Sequence, residues 1–348
     1  SQLTLVFIAA HAFVRSKSDI LWFCRAMAIA LIIAGTYALY DRYVGGVHRV
    51  RGTFDHSNAL GIWAYLGALP CLAVSFHKKV PPFTTILLLT GFSLGAIAAV
   101  LTISRATQMI LAVLSLFFVI HGVATHRNRK AFTLLIAFSL FAGIAAYKAK
   151  DTIQERVAGA KLADAHDKEE EIEDLRIVLG RQSALMLGDS FMGIGWNNYQ
   201  VACSRPVLRY SAVLEEHEAA DGDNHSVETF LRNPTVESLY WYLLAETGYL
   251  GFACFVLFLG STLWLMMKAY WRYRGTWLGD FLLSAVIVLS ALYAHSHLEK
   301  VLLQTKNIVP WFALLAIASK LETIRRRGNG AINPQTRESV HLGSPIEA

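Results

Sequence analysis

Long apolar runs separated by short polar segments constrain the fold of this chain more than any other feature. Hydrophobic residues fill 54% of its 348 positions and charged residues only 17%. About 20 consecutive apolar residues let a helix cross a bilayer, because the hydrocarbon core is about 30 Å thick. Such runs predict spans at 20–40, 58–77, 83–101, 106–123, 131–147, 236–267, 281–297 and 307–320, with a further span at 2–14. The sequence therefore predicts an all-α, polytopic transmembrane helical bundle.

Lysine and arginine gather in alternate loops, which predicts the orientation of the bundle. Fourteen of them lie in "RSK" at 15–17, "HKK" at 77–79, "HRNRK" at 126–130, "KAYWRYR" at 268–274, and Lys320 with "RRR" at 325–327. Positively charged loops stay cytoplasmic. The segments predicted to face the periplasm or the cell exterior are 41–57, 102–105, 148–235 and 298–306. Orientation thus explains the net charge of +6 without a nucleic-acid partner.

The predicted spans divide the chain into four parts. Residues 1–147 and 236–320 are transmembrane helices, 148–235 form an extracytoplasmic loop, and 321–348 form a cytoplasmic tail. Because the sequence opens with Ser1, further spans are expected to precede it in a longer protein. The loop is far longer than an ordinary connection, which favours a functional role. Its helix-forming first part and its later glycines and asparagines predict a loop that is partly helical.

Arginines at the outer ends of spans predict an anion site. Arg51 and Arg105 stand at predicted outer ends, and Arg176 and Arg181 of the loop can reach the same surface. Arginine at membrane depth is costly unless it has a partner, faces water or snorkels to the interface, and snorkelling alone can explain Arg105. The number of arginines favours a site instead, because guanidinium groups bind phosphate oxygens bidentately. The cluster predicts binding of a diphosphate whose tail lies in the membrane.

The remaining polar residues have simpler interpretations as well. Ser57 or Asn58 can cap the span that follows "RGTFDHSN". Glu246 lies deeper, where a bond to a neighbouring helix is the default role of a polar residue. The cysteines show no paired spacing, so neither a disulfide framework nor a zinc site is predicted. No cofactor and no metal is expected.

Four segments in order resemble the O-antigen ligase and O-antigen (polysaccharide) polymerase family of membrane glycosyltransferases. They are "RVRGTFDHSNALG" at 49–61, "LTISRA" at 101–106, "RIVLGRQSALMLGDSFMGIGWNNY" at 176–199 and "ESLYWYLLAETGYLG" at 237–251. The resemblance implies that Arg51 and Arg105 help to bind the lipid diphosphate. It implies one loop arginine, for which Arg181 fits the spacing to a leucine and Arg176 fits the spacing to the later glycines. Both assignments stay open.

The resemblance also implies a general base where the chain re-enters the membrane. The ligases have histidine there, followed at fixed spacing by two small residues that correspond to Gly248 and Gly251, whereas this chain has Glu237. A carboxylate can accept a proton from an attacking hydroxyl if its surroundings tune its pKa. Glu237 is the predicted base, with His225 as a second candidate. His295 and His297 are rivals or sugar contacts, and Asp55 and His56 can contact sugar hydroxyls or orient Arg51.

The resemblance implies transfer of a glycan from a polyprenyl diphosphate, expected to be undecaprenyl diphosphate, to an acceptor hydroxyl. The reaction is expected on the outer face of a bacterial inner membrane, without metal and with inversion. Glutamate in place of histidine favours polymerisation of repeat units, for an exopolysaccharide or O-antigen. The alternatives are ligation to lipid A core in lipopolysaccharide, transfer to a protein, and a transporter that binds the lipid-linked glycan without chemistry. Polar residues collected at one face, with no internal repeat, favour an enzyme over a transporter.

Overall fold

The computed structural model describes residues 2–54, 56–126, 133, 180, 183–188, 190–204, 238–299 and 305–330. These residues form helices and connecting turns, and none of them lies in a strand. In chain order the helices are α1 (Gln2–Phe13), α2 (Lys17–Tyr43), α3 (Ser57–Ser75), α4 (Pro82–Leu101), α5 (Arg105–His126), α6 (Tyr199–Ser204), α7 (Leu239–Tyr273), α8 (Trp277–His295) and α9 (Thr305–Gly330). The prediction of an all-α, polytopic helical bundle is confirmed.

Six of these helices are long and apolar enough to cross a membrane: α2, α3, α4, α5, α7 and α8. They coincide with six of the predicted spans. The span predicted at 2–14 is a helix of 12 residues, which is shorter than the roughly 20 residues that a crossing needs. The span predicted at 307–320 lies within α9, which contains Pro310 and continues to Gly330. The span predicted at 131–147 lies outside the described residues, apart from Thr133.

Local capping explains where several helices begin. Ser16 and Asp19 form a reciprocal capping box at the start of α2, in which each side chain accepts from the other residue's amide. Thr276 caps α8 by accepting from the Gly279 amide at 3.2 Å. The prediction that Ser57 or Asn58 caps α3 is wrong. His56 is the cap, because its extended backbone lets the imidazole Nδ1 accept from the Asn58 amide at 3.3 Å.

Helix α3 is the centre of the bundle. Its residues are buried along almost the whole helix, and it packs against α2, α4, α5, α8 and α9. Small residues bring α2 and α4 into close contact. A Cβ added to Gly35 would lie 2.5 Å from the Leu94 carbonyl oxygen, and one added to Gly91 would lie 2.7 Å from the Ala28 Cα. Close approach of this kind is how membrane helices gain packing energy where the surrounding lipid is equally apolar.

The antiparallel helices give the bundle two polar ends. One end joins the C-termini of α2, α4 and α8 to the N-termini of α3, α5 and α7, and we call it the arginine end because it holds Arg49, Arg51 and Arg105. The opposite end holds His77, His126 and Asp280, and we call it the His–Asp end. Among the described residues, the predicted site residues Arg51, Arg105, His56, His295 and His297 lie at the arginine end.

Candidate active site

A short extended segment at residues 49–51 forms the floor of the arginine end. The Val50 amide donates to the Leu101 carbonyl at 3.2 Å, and the Val50 side chain is completely buried. The Arg49 Nε donates to the Thr102 carbonyl at 3.1 Å. These bonds place residues 49–51 beside the end of α4. Arg51 and Arg105, which the sequence places more than fifty residues apart, therefore lie at the same end of the bundle.

At this end, hydrogen bonds connect three polar side chains that come from three different segments of the chain. An Arg49 amino group donates to the Asn58 Oδ1 at 2.6 Å, and the Asn58 amide group donates to the Glu299 Oε1. Asn58 is 9% exposed, so the amide joins the cation and the carboxylate where little water reaches it. Sequence reasoning treats Asn58 only as a cap and does not single out Arg49 or Glu299. Glu299 belongs to the polar segment "YAHSHLEK" at 293–300, which also contains His295 and His297. Only the fold shows that Glu299 pairs with Asn58.

Arg51 and Arg105 present exposed side chains at the same end. Arg105 is the first residue of α5, where the helix dipole adds positive potential. Ile103, two residues earlier, adopts a φ of 57°, which a β-branched residue adopts only under constraint. The turn into α5 is therefore fixed beside Arg105, and the combination favours binding of an anion here.

The start of α3 adds further polar groups. The His56 side chain is exposed, and its imidazole caps the helix. Lys306 of α9 donates to the Thr53 carbonyl, and its ammonium lies 5.0 Å from the centre of the Phe54 ring. Asp55 lies outside the described residues. The cation of Lys306 thus joins the arginines at this end.

Part of the predicted long loop docks on a break in α7. Gly248 has the non-helical angles φ 64° and ψ −170°, so α7 is interrupted within its first three turns. Residues 191–195 pair with the break. The Ile194 and Gly195 amides donate to the Ala245 and Glu246 carbonyls at 3.0 and 2.9 Å, and the Tyr249 amide donates to the Phe191 carbonyl at 3.2 Å. These bonds satisfy backbone groups around the break, as membrane-spanning helices require.

Glu246 strengthens this docking. Its side chain is 1% exposed, and Oε1 accepts from the Tyr199 amide at 3.2 Å. The expected bond to a neighbouring helix is formed with α6, which follows the docked residues 191–195. Tyr199 is completely buried and packs with Met186 and Ala245.

The start of α7 lies against the end of α8. The Leu239 amide donates to the Ser296 carbonyl at 3.0 Å, which brings Ser238 beside the two predicted histidines. His295 is 2% exposed and stacks on Tyr65 with ring centres 6.3 Å apart. Neither ring nitrogen of His295 has a hydrogen-bond partner. His297 is exposed and lies 6.2 Å from the Tyr240 ring.

An open apolar groove runs along α7 and α8 from this point. Its volume is about 580 Å³, and its lining includes Tyr240, Phe252, Leu263, Tyr293 and His297. The Tyr240 hydroxyl donates to the Tyr293 carbonyl at 2.7 Å. This hydroxyl is therefore satisfied within the wall of the groove. The groove is suited to an extended apolar chain.

The other predicted site residues, Arg176, Arg181, His225 and Glu237, lie outside the described residues. Glu237 directly precedes Ser238, at the start of α7. The structure therefore brings together Arg51, Arg105, His56, His295 and His297 at one end, and leaves the remaining assignments as predictions.

Comparison with known families gives one match. The family model for O-antigen ligase matches residues 90–256, just under half of the chain. The matched segment runs from α4 through Arg105 and the long loop to the broken part of α7. A search of curated proteins finds no match. The predicted family resemblance is confirmed, and the match contains three of the four segments that carry it, while the segment at 49–61 lies outside the matched range.

Proposed function

Since the match over residues 90–256 assigns this chain to the O-antigen ligase family, we propose that it transfers a glycan from a polyprenyl diphosphate to an acceptor hydroxyl. The family implies a multi-pass membrane glycosyltransferase of the ligase or polymerase type, with lipid-linked glycans and a polysaccharide or lipid A acceptor as its general substrates. The proposal adds three points to the family's general activity: the polyprenyl diphosphate carrier, the location of the reaction and the specific role of the enzyme. It sets the reaction at the arginine end, on the outer face of a bacterial inner membrane.

The observation that carries the proposal is the meeting of Arg49, Arg51 and Arg105 at one end of the bundle. Arg49 is engaged by Thr102 and Asn58, and it braces the segment that presents Arg51. Arg51 and Arg105 are exposed and stand next to the N-terminus of α5. Two guanidinium groups with a helix N-terminus match the charge of a diphosphate. Arg176 or Arg181 is proposed to complete the site from the loop.

The groove along α7 and α8 supports a lipid carrier. Its walls are mostly apolar and it begins beside His297, at the end of the bundle where the diphosphate is proposed to bind. A polyprenyl tail in the groove would place the phosphate groups at the membrane surface. This arrangement is favourable because the apolar tail needs no polar contacts, whereas the diphosphate and the glycan need water or fixed charges.

Glu237 is proposed as the general base, with His225, His295 and His297 as the other candidates. The base accepts the proton of the acceptor hydroxyl, whose oxygen forms a bond to the anomeric carbon. The bond from that carbon to the diphosphate oxygen breaks, and its electron pair leaves with the polyprenyl diphosphate. Fixed guanidinium groups stabilise the increasing negative charge without reorganisation. Attack opposite the leaving group inverts the anomeric centre, and the arginines make a catalytic metal unnecessary.

We propose that the acceptor is a growing polysaccharide, because Glu237 replaces the histidine of the ligases. Ligation to lipid A core and transfer to a protein use the same donor site and differ in the acceptor. A transporter for the lipid-linked glycan would bind the donor without breaking its glycosidic bond. These alternatives predict different products from one experiment.

The experiment uses the full chain purified in detergent and a polyprenyl-diphosphate-linked oligosaccharide isolated from the host. Product length is followed on a gel with and without EDTA. Arg51→Ala, Arg105→Ala and Glu237→Gln are compared with Arg274→Ala, an exposed arginine at the opposite end. We expect a ladder of lengthening glycan that survives EDTA, is retained by Arg274→Ala and is lost in the other three variants.

Each other result has a definite meaning. Transfer that needs lipid A core makes the protein a ligase, and transfer to a protein makes it an oligosaccharyltransferase. Donor binding without transfer to any acceptor supports the transporter. Full activity of both Arg51→Ala and Arg105→Ala contradicts the proposed diphosphate site.

A further inference from the structure

A cluster of metal-binding side chains lies at the His–Asp end, far from the arginines. His77 follows α3, His126 ends α5, and Asp280 lies in the first turn of α8. Each offers one ligand atom, and the three atoms lie within 4.8 Å of one another. We propose that His77, His126 and Asp280 form a structural site for a divalent transition metal, with Zn²⁺ as its natural occupant. This inference does not rest on the proposed function.

The contacts of His126 and Asp280 are suited to a bound cation. The His126 Nε2 and the Asp280 Oδ2 are 3.0 Å apart, with side chains only 9% and 7% exposed. Beyond this contact with each other, no hydrogen bond from the described residues reaches either buried atom. A buried imidazole and a carboxylate that lie this close together are suited to a shared cation. In a tetrahedral zinc site with bonds of about 2.0–2.1 Å, neighbouring ligand atoms are roughly 3.3 Å apart.

The remaining groups supply the supporting shell. His121 lies with Nε2 at 3.9 Å from the other carboxylate oxygen of Asp280, and so orients that carboxylate from outside the proposed coordination sphere. The His77 Nδ1 accepts from the Lys79 amide at 3.1 Å, and the ring also hydrogen-bonds to the Gly275 backbone. Coordination through Nδ1 replaces the Lys79 bond, and the protonated Nε2 then donates to the Gly275 backbone, because a metal-bound imidazole keeps its proton on the other nitrogen. Such backbone bonds are the usual support of metal-binding histidines.

The type of ligand selects the metal. Two imidazoles and one carboxylate, with water completing the coordination, match zinc or another divalent transition metal rather than magnesium or calcium, which prefer oxygen ligands. The metal would join the ends of three helices. A ligand that binds the folded state alone stabilises it by mass action. The site would therefore hold α3, α5 and α8 in register at the end of the bundle opposite the proposed reaction.

The test uses the full chain, purified through a tag without histidine and treated with EDTA that is then removed. Cys254, which is exposed, and Cys203 are changed to serine in every sample to remove competing thiols. The protein is titrated with Co²⁺, followed by its visible absorption, and Zn²⁺ is added to displace it. Asp280→Asn and His126→Gln are compared with His48→Gln, which removes an exposed histidine at the arginine end.

We expect one equivalent of Co²⁺ with tetrahedral absorption, displaced by one equivalent of Zn²⁺, in the parent and in His48→Gln. Affinity should fall at least about tenfold in both other variants, since loss even of supporting groups costs 10–100-fold. Equal affinity in all four proteins, or no saturable binding by the parent, overturns the proposal and leaves a metal-free His–Asp ion pair. His126→Gln decides the result if Asp280→Asn does not fold, as judged by gel filtration.

Metal binding is measured without a glycan substrate, so it is independent of transfer activity. Added Zn²⁺ should also raise the melting temperature of the parent protein and leave that of His126→Gln unchanged. Failure of the transferase experiment would not alter this result, and loss of the metal site would not alter the arginine end.

Discussion

Gly193 and Gly248 face each other so closely that neither position has room for a side chain. A Cβ on Gly193 would lie 2.5 Å from the Gly248 nitrogen, and a Cβ on Gly248 would lie 2.6 Å from the Gly193 nitrogen. Both residues have positive φ, 76° and 64°. The contact fastens a segment of the long loop to the break in α7. Two glycines that are far apart in the sequence therefore define one docking contact next to the start of α7.

Gly193→Ala and Gly248→Ala are each expected to loosen this contact. The left-handed conformation alone costs about 1–2 kcal/mol for a residue with a Cβ, and overlap with backbone atoms adds to that cost. The melting temperature should fall in both variants. Transfer should fall at least about tenfold, because a displacement of about 1 Å near reacting groups can cost 10²-fold. Melting curves and initial rates in detergent measure the two effects.

Gly188→Ala is the matched control, since a Cβ there meets nothing within 4 Å. The double variant should lose less than the sum of the single losses, because both substitutions break the same contact. Additive losses, or a Gly248→Ala protein with normal melting and activity, would show that the docking is unimportant.

Asn58→Leu is expected to disconnect Arg49 from Glu299. The substitution removes both hydrogen bonds of the amide in a nearly buried position, and loss of a buried partner costs about 1–3 kcal/mol. The segment that presents Arg51 should become less well held. We therefore expect a lower melting temperature and weaker donor binding, measured with the polyprenyl-diphosphate-linked oligosaccharide.

Glu299→Gln separates charge from hydrogen bonding at the same place, because glutamine keeps an acceptor for the Asn58 amide. It should lower the melting temperature less than Asn58→Leu does. Gln108→Ala, which removes one exposed hydrogen bond to the Val100 carbonyl, should leave both measurements unchanged. An Asn58→Leu protein that matches Gln108→Ala would refute the bracing role of the network.

His77 makes stability depend on pH. Burial lowers the pKa of the His77 imidazole below its ordinary value of 6.5, the Asp280 carboxylate partly offsets this, and His126 and Lys79 add to the lowering. The unfolded chain therefore takes up the proton first as the pH falls through 6.5. The free energy of unfolding should decrease from that pH down to the folded-state pKa and then level off.

Melting temperatures of the metal-free protein between pH 8 and pH 5 measure this dependence. His77→Gln should reduce the slope below pH 6.5, and His48→Gln, which changes an exposed histidine, should not. Identical slopes in His77→Gln and the parent would contradict the assignment of this dependence to His77.

The sequence determined the spans and their alternation. Runs such as 58–77 and 83–101 become α3 and α4, because a bilayer leaves an apolar segment of this length few alternatives to a helix. The alternation places Arg51 and Arg105 at one end, as the spans predict, and the match to the family confirms the resemblance that the motifs gave. Apolar length and the order of charged loops are local properties, so they can be read from the chain alone.

Only the tertiary structure decided which polar side chains meet. His56 caps α3 because its backbone is extended there, Asn58 bonds to Arg49 and Glu299, and Glu246 bonds to α6 because residues 191–195 dock at the break at Gly248. His77, His126 and Asp280 carry no common spacing in the sequence and come together only where three helices end. Such contacts depend on the angles at which helices cross and on the residues at which they end. Hydrophobic periodicity in the sequence does not specify either of these.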